Sequence, residues 1–250
     1  MSFVQKTRQY FSHKIFPTRT TGPETAYDLW SEKYDHQPDN LMLALDEEIF
    51  SALLEGLNLQ NKIIADIGCG TGRHWKKILE QHPKKLIGFD VSEGMLKILQ
   101  QKFPQAETHH LISDELNNVE NEYCDIIIST LTIAHIKDPK KALREWNRIL
   151  KPGGEIIITD YHPAALAKGG NRTFRYQNKT IAVKNYVHPI ETIKEIAAGL
   201  LLKVLCLNEK SIDEQVKSFY EKQNALPVFE AWKGTPIIYG IHLKKTDAAL

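Results

Sequence analysis

Ile63-Ile64-Ala65-Asp66-Ile67-Gly68-Cys69-Gly70-Thr71-Gly72 is the stretch whose reading decides the fold. Lys62 to Ile67 has the length and apolar character of a short buried strand, Gly68 to Gly72 forms a turn, and Arg73 to Gln81 reads as a helix stopped at Pro83. A glycine turn from strand into helix lets a ligand approach the backbone and presents unpaired amides at the helix start. The spacing Gly-x-Gly-x-Gly alone also fits a tight turn with no ligand, and dinucleotide folds place their third glycine one position later. Two acids sharpen the reading. Asp66 precedes the first glycine, and Asp90 ends the next strand, 18 residues beyond Gly72. A carboxylate is acceptor-only and bidentate, so Asp90 suits the two hydroxyls of a ribose. Asp66 under the turn would repel a pyrophosphate but suits an ammonium group. The ligand so described is a nucleoside with a cationic amino-acid end.

Outward from this stretch the chain alternates. Leu86 to Val91 is a strand, and Ser92 caps a helix carrying Met95, Leu96, Ile98 and Leu99 as far as Phe103. A weaker strand lies near Thr108 to Ile112 and a strong one at Cys124 to Thr130. Asp138 then caps a helix with Pro139 in its first turn. Lys151-Pro152-Gly153-Gly154 breaks that helix, and Glu155 to Thr159 is a fifth strand. Before the glycine turn, helices are expected from Glu24 to Asp35, ended by Pro38, and from Asn40 to Gly56. After the fifth strand, Phe174, Tyr176, Ile181 and Val183 alternate around Gln177-Asn178-Lys179 as a hairpin. A helix from Ile190 to Ala198 and strands at Leu201 to Leu207 and Ile237 to Leu243, joined by a helical 213–223 segment, complete the pattern. Strands spaced by helices imply parallel pairing and right-handed crossovers, hence an α/β fold with a doubly wound, seven-stranded, mostly parallel sheet.

Composition narrows the function classes. The 250 residues are 42% hydrophobic and 25% charged, the balance of an ordinary globular protein. With 32 Lys+Arg against 31 Asp+Glu there is no global field to gather nucleic acid or an anionic membrane. No apolar run approaches the roughly 20 residues of a membrane span. Cys69, Cys124 and Cys206 lack zinc-site or disulfide spacing, so no metal is expected and a cytoplasmic location fits. Residues 1–23 hold Lys6, Arg8, Lys14 and Arg19 and a single acid-free run of aromatics. They read as a basic, flexible arm in preference to a transit peptide.

The sequence resembles the class I S-adenosylmethionine-dependent methyltransferases, and within them the small-molecule branch of ubiquinone and menaquinone biosynthesis. The matching pieces are Asp66 to Gly72, Gly88-Phe89-Asp90-Val91-Ser92-Glu93-Gly94-Met95-Leu96, Asp114-Glu115-Leu116, Tyr123 to Ile127 through His135, and Leu150-Lys151-Pro152-Gly153-Gly154. The resemblance implies a Rossmann-like fold in one domain over 24–250, with cap helices at 24–56 and a cofactor-binding core at 62–160. It further implies a substrate-facing hairpin and helix insertion at 161–200 and final strands at 201–245. It implies S-adenosyl-L-methionine as cofactor, its methionine end on Asp66 and the backbone of Gly68, Cys69, Gly70 and Gly72. The ribose falls to Asp90, the adenine to Val91, Met95, Ser113, Asp114 and Glu115, and the transferable methyl to Thr130 and Leu131. Tyr34 or Trp30 of the early Tyr27-Asp28-Leu29-Trp30 and Tyr34-Asp35 pattern, which resembles the family's cofactor-covering N-terminal helices, would close the pocket. After the fourth strand the chain reads Ser129-Thr130-Leu131-Thr132, without the Pro-Pro-Tyr type tetrapeptide or the Pro-Cys nucleophile of enzymes that act on flipped bases.

The expected reaction is methyl transfer to a small-molecule acceptor at oxygen or carbon, with a phenol, quinone or carboxylate in view. Orientation of an in-line nucleophile is worth about 7–11 kcal/mol, and a general base adds about 10²–10⁴-fold. Candidate bases are His135, His162 and His188, each at or near the carboxyl end of an element. His13, His36, His74, His82, His109, His110 and His242 carry no such signal. From Tyr161 through Ile190 there is no acid, and Arg172, Arg175 and Tyr186 are singled out as acceptor contacts in that segment. An RNA or protein methyltransferase, a non-catalytic S-adenosylmethionine-binding protein and, at greater distance, an NAD-dependent oxidoreductase are the competing readings.

Overall fold

The computed structural model describes residues 19–112 and 115–246. Its strands are β1 (Arg19–Thr21), β2 (Ile63–Ile67), β3 (Lys85–Asp90), β4 (Glu107–His110), β5 (Cys124–Thr130), β6 (Leu150–Tyr161), β7 (Thr173–Tyr176), β8 (Lys179–Val183), β9 (Leu202–Ser211) and β10 (Pro236–Lys245). Its helices are α1 (Pro23–Tyr34), α2 (Leu41–Leu54), α3 (Trp75–Leu79), α4 (Glu93–Lys102), α5 (Pro139–Ile149), α6 (Pro163–Ala167), α7 (Ile190–Gly199), α8 (Lys217–Lys222) and α9 (Leu226–Trp232). None is long and apolar enough to cross a membrane among the described residues.

Seven strands form one sheet in the order β4-β3-β2-β5-β6-β10-β9. The pairs from β4 to β6 are parallel, and β10 runs antiparallel to both β6 and β9. From β2 the chain winds outward to β3 and β4, then returns across to β5, so the winding reverses between β2 and β5. Open α/β sheets bind ligands in the crevice outside the strand ends at such a reversal. Period-two alternation sends neighbouring residues to opposite faces. Ile64 joins Trp75, Ile78 and Leu99 on one side, while Ala65 and Ile67 join Leu143 and Trp146 of α5 on the other.

Caps set the helix starts. Asn40, Ser92 and Asp138 accept from the backbone N–H of Leu43, Met95 and Lys141, opening α2, α4 and α5. On α2 the buried Asp46 takes the Arg73 guanidinium, the Thr159 hydroxyl and His74 Nε2, the last at 2.9 Å. These partners outweigh its burial and hold its carboxyl well below the usual range. Gly240 is required where α2 crosses β10, because a Cβ there would lie 2.3 Å from the Ile49 side chain.

Several sequence expectations change in detail. The arm expected over residues 1–23 is structured at its end: Arg19–Thr21 is β1, paired parallel to β8, and makes the β7-β8 hairpin a three-stranded second sheet. Gly22 and Pro23 open α1, and residues 1–18 lie outside the described residues. The helix expected over 73–81 shortens to α3, because Trp75 N–H bonds Gly72 and the turn takes up the first residues. The helix ends at Ile149, just ahead of Lys151 to Gly154, but the fifth strand starts earlier than Glu155: β6 begins at Leu150 directly after α5, with a register shift against β5. The segment 213–223 becomes a short 3₁₀ turn followed by α8 and, further on, α9.

Candidate functional site

At the crevice between β2 and β5 the glycine turn is held by its own amides. Gly68 and Cys69 N–H both donate to Phe89 O, at 2.7 and 3.1 Å, and Gly72 N–H donates to Cys69 O at 2.9 Å. Gly70 N–H donates to Asp90 Oδ2 at 2.8 Å. The amides of Gly68, Cys69, Gly70 and Gly72 are therefore not free for a ligand as expected: three are spent on Phe89 and Asp90 of β3 and one within the turn. Gly68 has φ +76°, and a Cβ there would lie 2.0 Å from Thr132 Oγ1. Only glycine permits that approach of the turn to β5.

Two carboxylates flank the turn. Asp90 Oδ1 accepts from Ser92 N–H at 2.9 Å, so each of its oxygens holds one backbone amide and keeps capacity for another donor. Burial pushes its pKa up to about 6. Asp66 Oδ2 accepts from Trp75 Nε1 at 2.8 Å, and its buried Oδ1 has no partner among the described residues. Burial raises Asp66 to about 6 as well. Asp66 lies beneath the turn on the α3 side, and the cavity wall is formed by its neighbours Ile67 and Gly68.

The cavity in front of the turn measures about 280 Å³. Gly68, Gly70, Asp90, Val91, Met95, Thr130, Leu131, Tyr34, His135 and Arg172 all line it. Leu131 stands at φ +53°, a left-handed conformation that costs a leucine strain of order 1–3 kcal/mol. Helix α1 roofs the cavity. Asp28 Oδ1 accepts from Ser92 Oγ at 2.7 Å and Gly94 N–H at 2.9 Å, and Thr71 Oγ1 donates to Asp35 Oδ1 at 2.7 Å. Asp90 on the wall fits the ribose hydroxyls of S-adenosylmethionine, with Met95 and Val91 as apolar wall for its base, whereas Asp66, expected to hold the ammonium, stands off the wall and bonds Trp75.

His135 is wired into the roof. Its Nδ1–H donates to Lys184 O at 2.9 Å, because a carbonyl only accepts, and Nε2 then takes the Tyr27 hydroxyl proton at 2.9 Å. Arg172 Nη1 donates in turn to Tyr27 Oη at 2.7 Å. Burial, then the Arg172 charge, pushes the His135 pKa down to about 3, so the imidazole is neutral with its lone pair engaged. That makes it a weak base as it stands.

The other expected residues disperse. His162 caps α6: Nδ1 accepts Ala164 N–H at 3.1 Å and Nε2 meets Glu209 at 2.6 Å, away from the cavity. His188 donates to Ile136 O at 2.8 Å and stacks on Tyr186. Both are corrected as candidate bases, since backbone and carboxylate partners fix them elsewhere. Tyr186 and the exposed Arg175 also stand off the wall, as do the Cys69 side chain, turned toward Gly88, and Gly72. Glu115 is exposed and pairs with Lys141 at 2.9 Å, which corrects its expected base contact; the next residue, Leu116, lines the cavity instead. Ser113 and Asp114 lie outside the described residues. Sequence reasoning missed Thr132 and Lys137 on the wall and left Tyr27 without a role, although its seven-residue spacing from Tyr34 puts both on one face of α1.

Beyond Arg172 a second cavity of about 860 Å³ opens, walled by Trp30, Met42, Tyr161, Phe219, Tyr220 and Trp232 among others. Arg172 lines both spaces.

Comparison with known proteins agrees with this geometry. Residues 65–158 match the family described as "Methyltransferase domain". The chain is 38% identical over 114 residues to a tRNA U34 carboxymethyltransferase of Campylobacter fetus, covering 44% of this chain and 40% of that protein. It is 32% identical over 104 residues to the ubiquinone/menaquinone biosynthesis C-methyltransferase UbiE of Campylobacter jejuni, covering 39% of this chain and 44% of that one. These matches span about two fifths of each relative's length. Among solved structures, an S-adenosylmethionine-dependent methyltransferase from Mesorhizobium loti superposes with TM-score 0.61 at 17% identity, covering 78% of this chain and 96% of that one, which establishes the shared fold. Residues 65–158 thus match a methyltransferase domain, and the fold around them is shared with solved S-adenosylmethionine-dependent methyltransferases, with Asp90 lining the cavity at the sheet reversal.

Proposed function

We propose that the protein transfers the methyl group of S-adenosylmethionine to a small organic acceptor, at oxygen or carbon. The bound cofactor supplies a sulfonium methyl that an in-line nucleophile takes without further activation. The chain's residues supply position. Asp90 would accept the ribose hydroxyls, Asp66 would attract the ammonium as a charge beneath the turn without touching it, and Val91 and Met95 would pack on the base, which leaves the methyl toward Thr130, Leu131 and Thr132. The observation that carries the small-acceptor reading is the second cavity, about 860 Å³ and lined by aromatic side chains, adjoining the cofactor cavity at Arg172. A concave, aromatic-lined space of this size suits a small, largely apolar ligand.

His135 is neutral and its lone pair is engaged, so the acceptor that needs least help is one that arrives already ionised. The RNA alternative rests on the tRNA-modifying relative. A labelling experiment separates the two: the protein with methyl-tritiated S-adenosylmethionine is incubated with a bacterial extract divided into metabolite, RNA and protein fractions. Label is expected in the metabolite fraction. Label confined to RNA or protein would overturn the small-acceptor reading and leave the cofactor assignment intact.

A further inference from the structure

Arg172 is 5% exposed, yet no carboxylate among the described residues lies within ion-pair distance of its guanidinium. Its contacts are neutral oxygens: Nη1 donates to Tyr27 Oη at 2.7 Å and Leu131 O at 3.1 Å, and Nη2 to Tyr34 Oη at 3.0 Å. Three of its five N–H groups are so engaged, and the other two have no partner among the described residues. Tyr27, Tyr34 and Tyr161 rings surround the charge at 5.7, 6.0 and 5.9 Å. The nearest acid in the network, Asp160, spends its oxygens on the N–H groups of Ala134 and Tyr161. A buried charge is normally paired, and an isolated one is costly. This one is fixed by three neutral partners at the boundary of two cavities, the arrangement of a preformed anion receptor. A guanidinium fork matches a carboxylate in shape and in single charge.

We infer that the acceptor is a monocarboxylic acid, its carboxylate held by Arg172 and its apolar body lying in the larger cavity against Trp30, Phe219, Tyr220 and Trp232. This rests on the methyltransferase reading and adds the substrate class to it. The buried guanidinium balances one negative charge; Lys168, also in that wall, is exposed to solvent and held over the Trp232 ring by Ala231 O and Thr235 Oγ1.

The same fork could serve the cofactor's own carboxylate, and the test distinguishes the two sources. The full chain is titrated calorimetrically with S-adenosylhomocysteine, as wild type and as Arg172→Gln. Each, saturated with that ligand, is then titrated with decanoate, 3-phenylpropionate and indole-3-acetate, and with their primary amides. Expected is saturable binding of at least one acid by the S-adenosylhomocysteine-saturated wild type, a tenfold or greater loss for its amide, and loss of acid binding in Arg172→Gln saturated with the same ligand. Acids that bind no better than their amides, or a tenfold loss of S-adenosylhomocysteine affinity in Arg172→Gln with no acid bound by the wild type, would overturn the inference. The acid and amide comparison needs only the wild type, so a variant that fails to fold does not remove the test. Wild type that does not bind S-adenosylhomocysteine would instead overturn the methyltransferase reading itself.

Discussion

Asp90 carries the largest chemical burden of any single side chain in the cofactor cavity. Its pKa of about 6 means that it is ionised at neutral pH but gains a proton just below it. Hydroxyl donors need the ionised form, so S-adenosylhomocysteine affinity should be level above pH 7 and fall by up to tenfold per unit below about pH 6. Linkage gives the free protein the opposite slope: a raised folded-state value contributes stability that is complete below the ordinary carboxylate range near 3.9 and is lost as pH rises through about 6. Asp90→Asn should lower neutral-pH affinity by about 1.5–3 kcal/mol and flatten the acid limb. Titration calorimetry at several pH values checks both, and an unchanged acid limb in the variant would assign that proton to another group, Asp66 first. Asp90 was legible in the sequence because strand end and glycine turn fix its place through the backbone. The histidines were not: His135, His162 and His188 sit at comparable chain positions, and only tertiary partners separate the one on the wall from the two bonded elsewhere.

Among the elements, α1 and α4 are joined at one hydroxyl. Ser92 Oγ accepts Met95 N–H as the cap of α4 and donates to Asp28 on α1, the helix that roofs the cavity. Ser92→Ala removes a cap worth about 1 kcal/mol and a charge-assisted hydrogen bond worth about 1.5–3 kcal/mol. It should therefore cost about 2–4 kcal/mol in denaturant unfolding and weaken cofactor binding. Asp138→Ala removes only the cap of α5, which makes no bond to the roof, and should cost about 1 kcal/mol and weaken binding less than Ser92→Ala does. Equal effects of the two variants on binding would contradict the roof role of α1. Capped and strongly periodic helices such as α2, α4 and α5 could be read from local signals. Strand β1 could not, because three residues at the sheet edge, Arg19 to Thr21, owe their pairing wholly to β8. The same holds for α6, whose cap is a histidine and whose length is five residues.

At the scale of the molecule, the winding reversal between β2 and β5 makes the crevice, and the sequence showed it as strands alternating with helices. The larger cavity was invisible there, since its walls come from α1, the start of α2, β6, and the 219–232 segment, which no local pattern relates. The cofactor class is the claim on which the rest depends. Titration calorimetry of the purified chain with S-adenosylmethionine, S-adenosylhomocysteine and NAD in parallel tests it most directly. Saturable binding of the first two and none of NAD is the predicted result. Binding of NAD alone would contradict the reading of Asp66 and the proposed reaction with it.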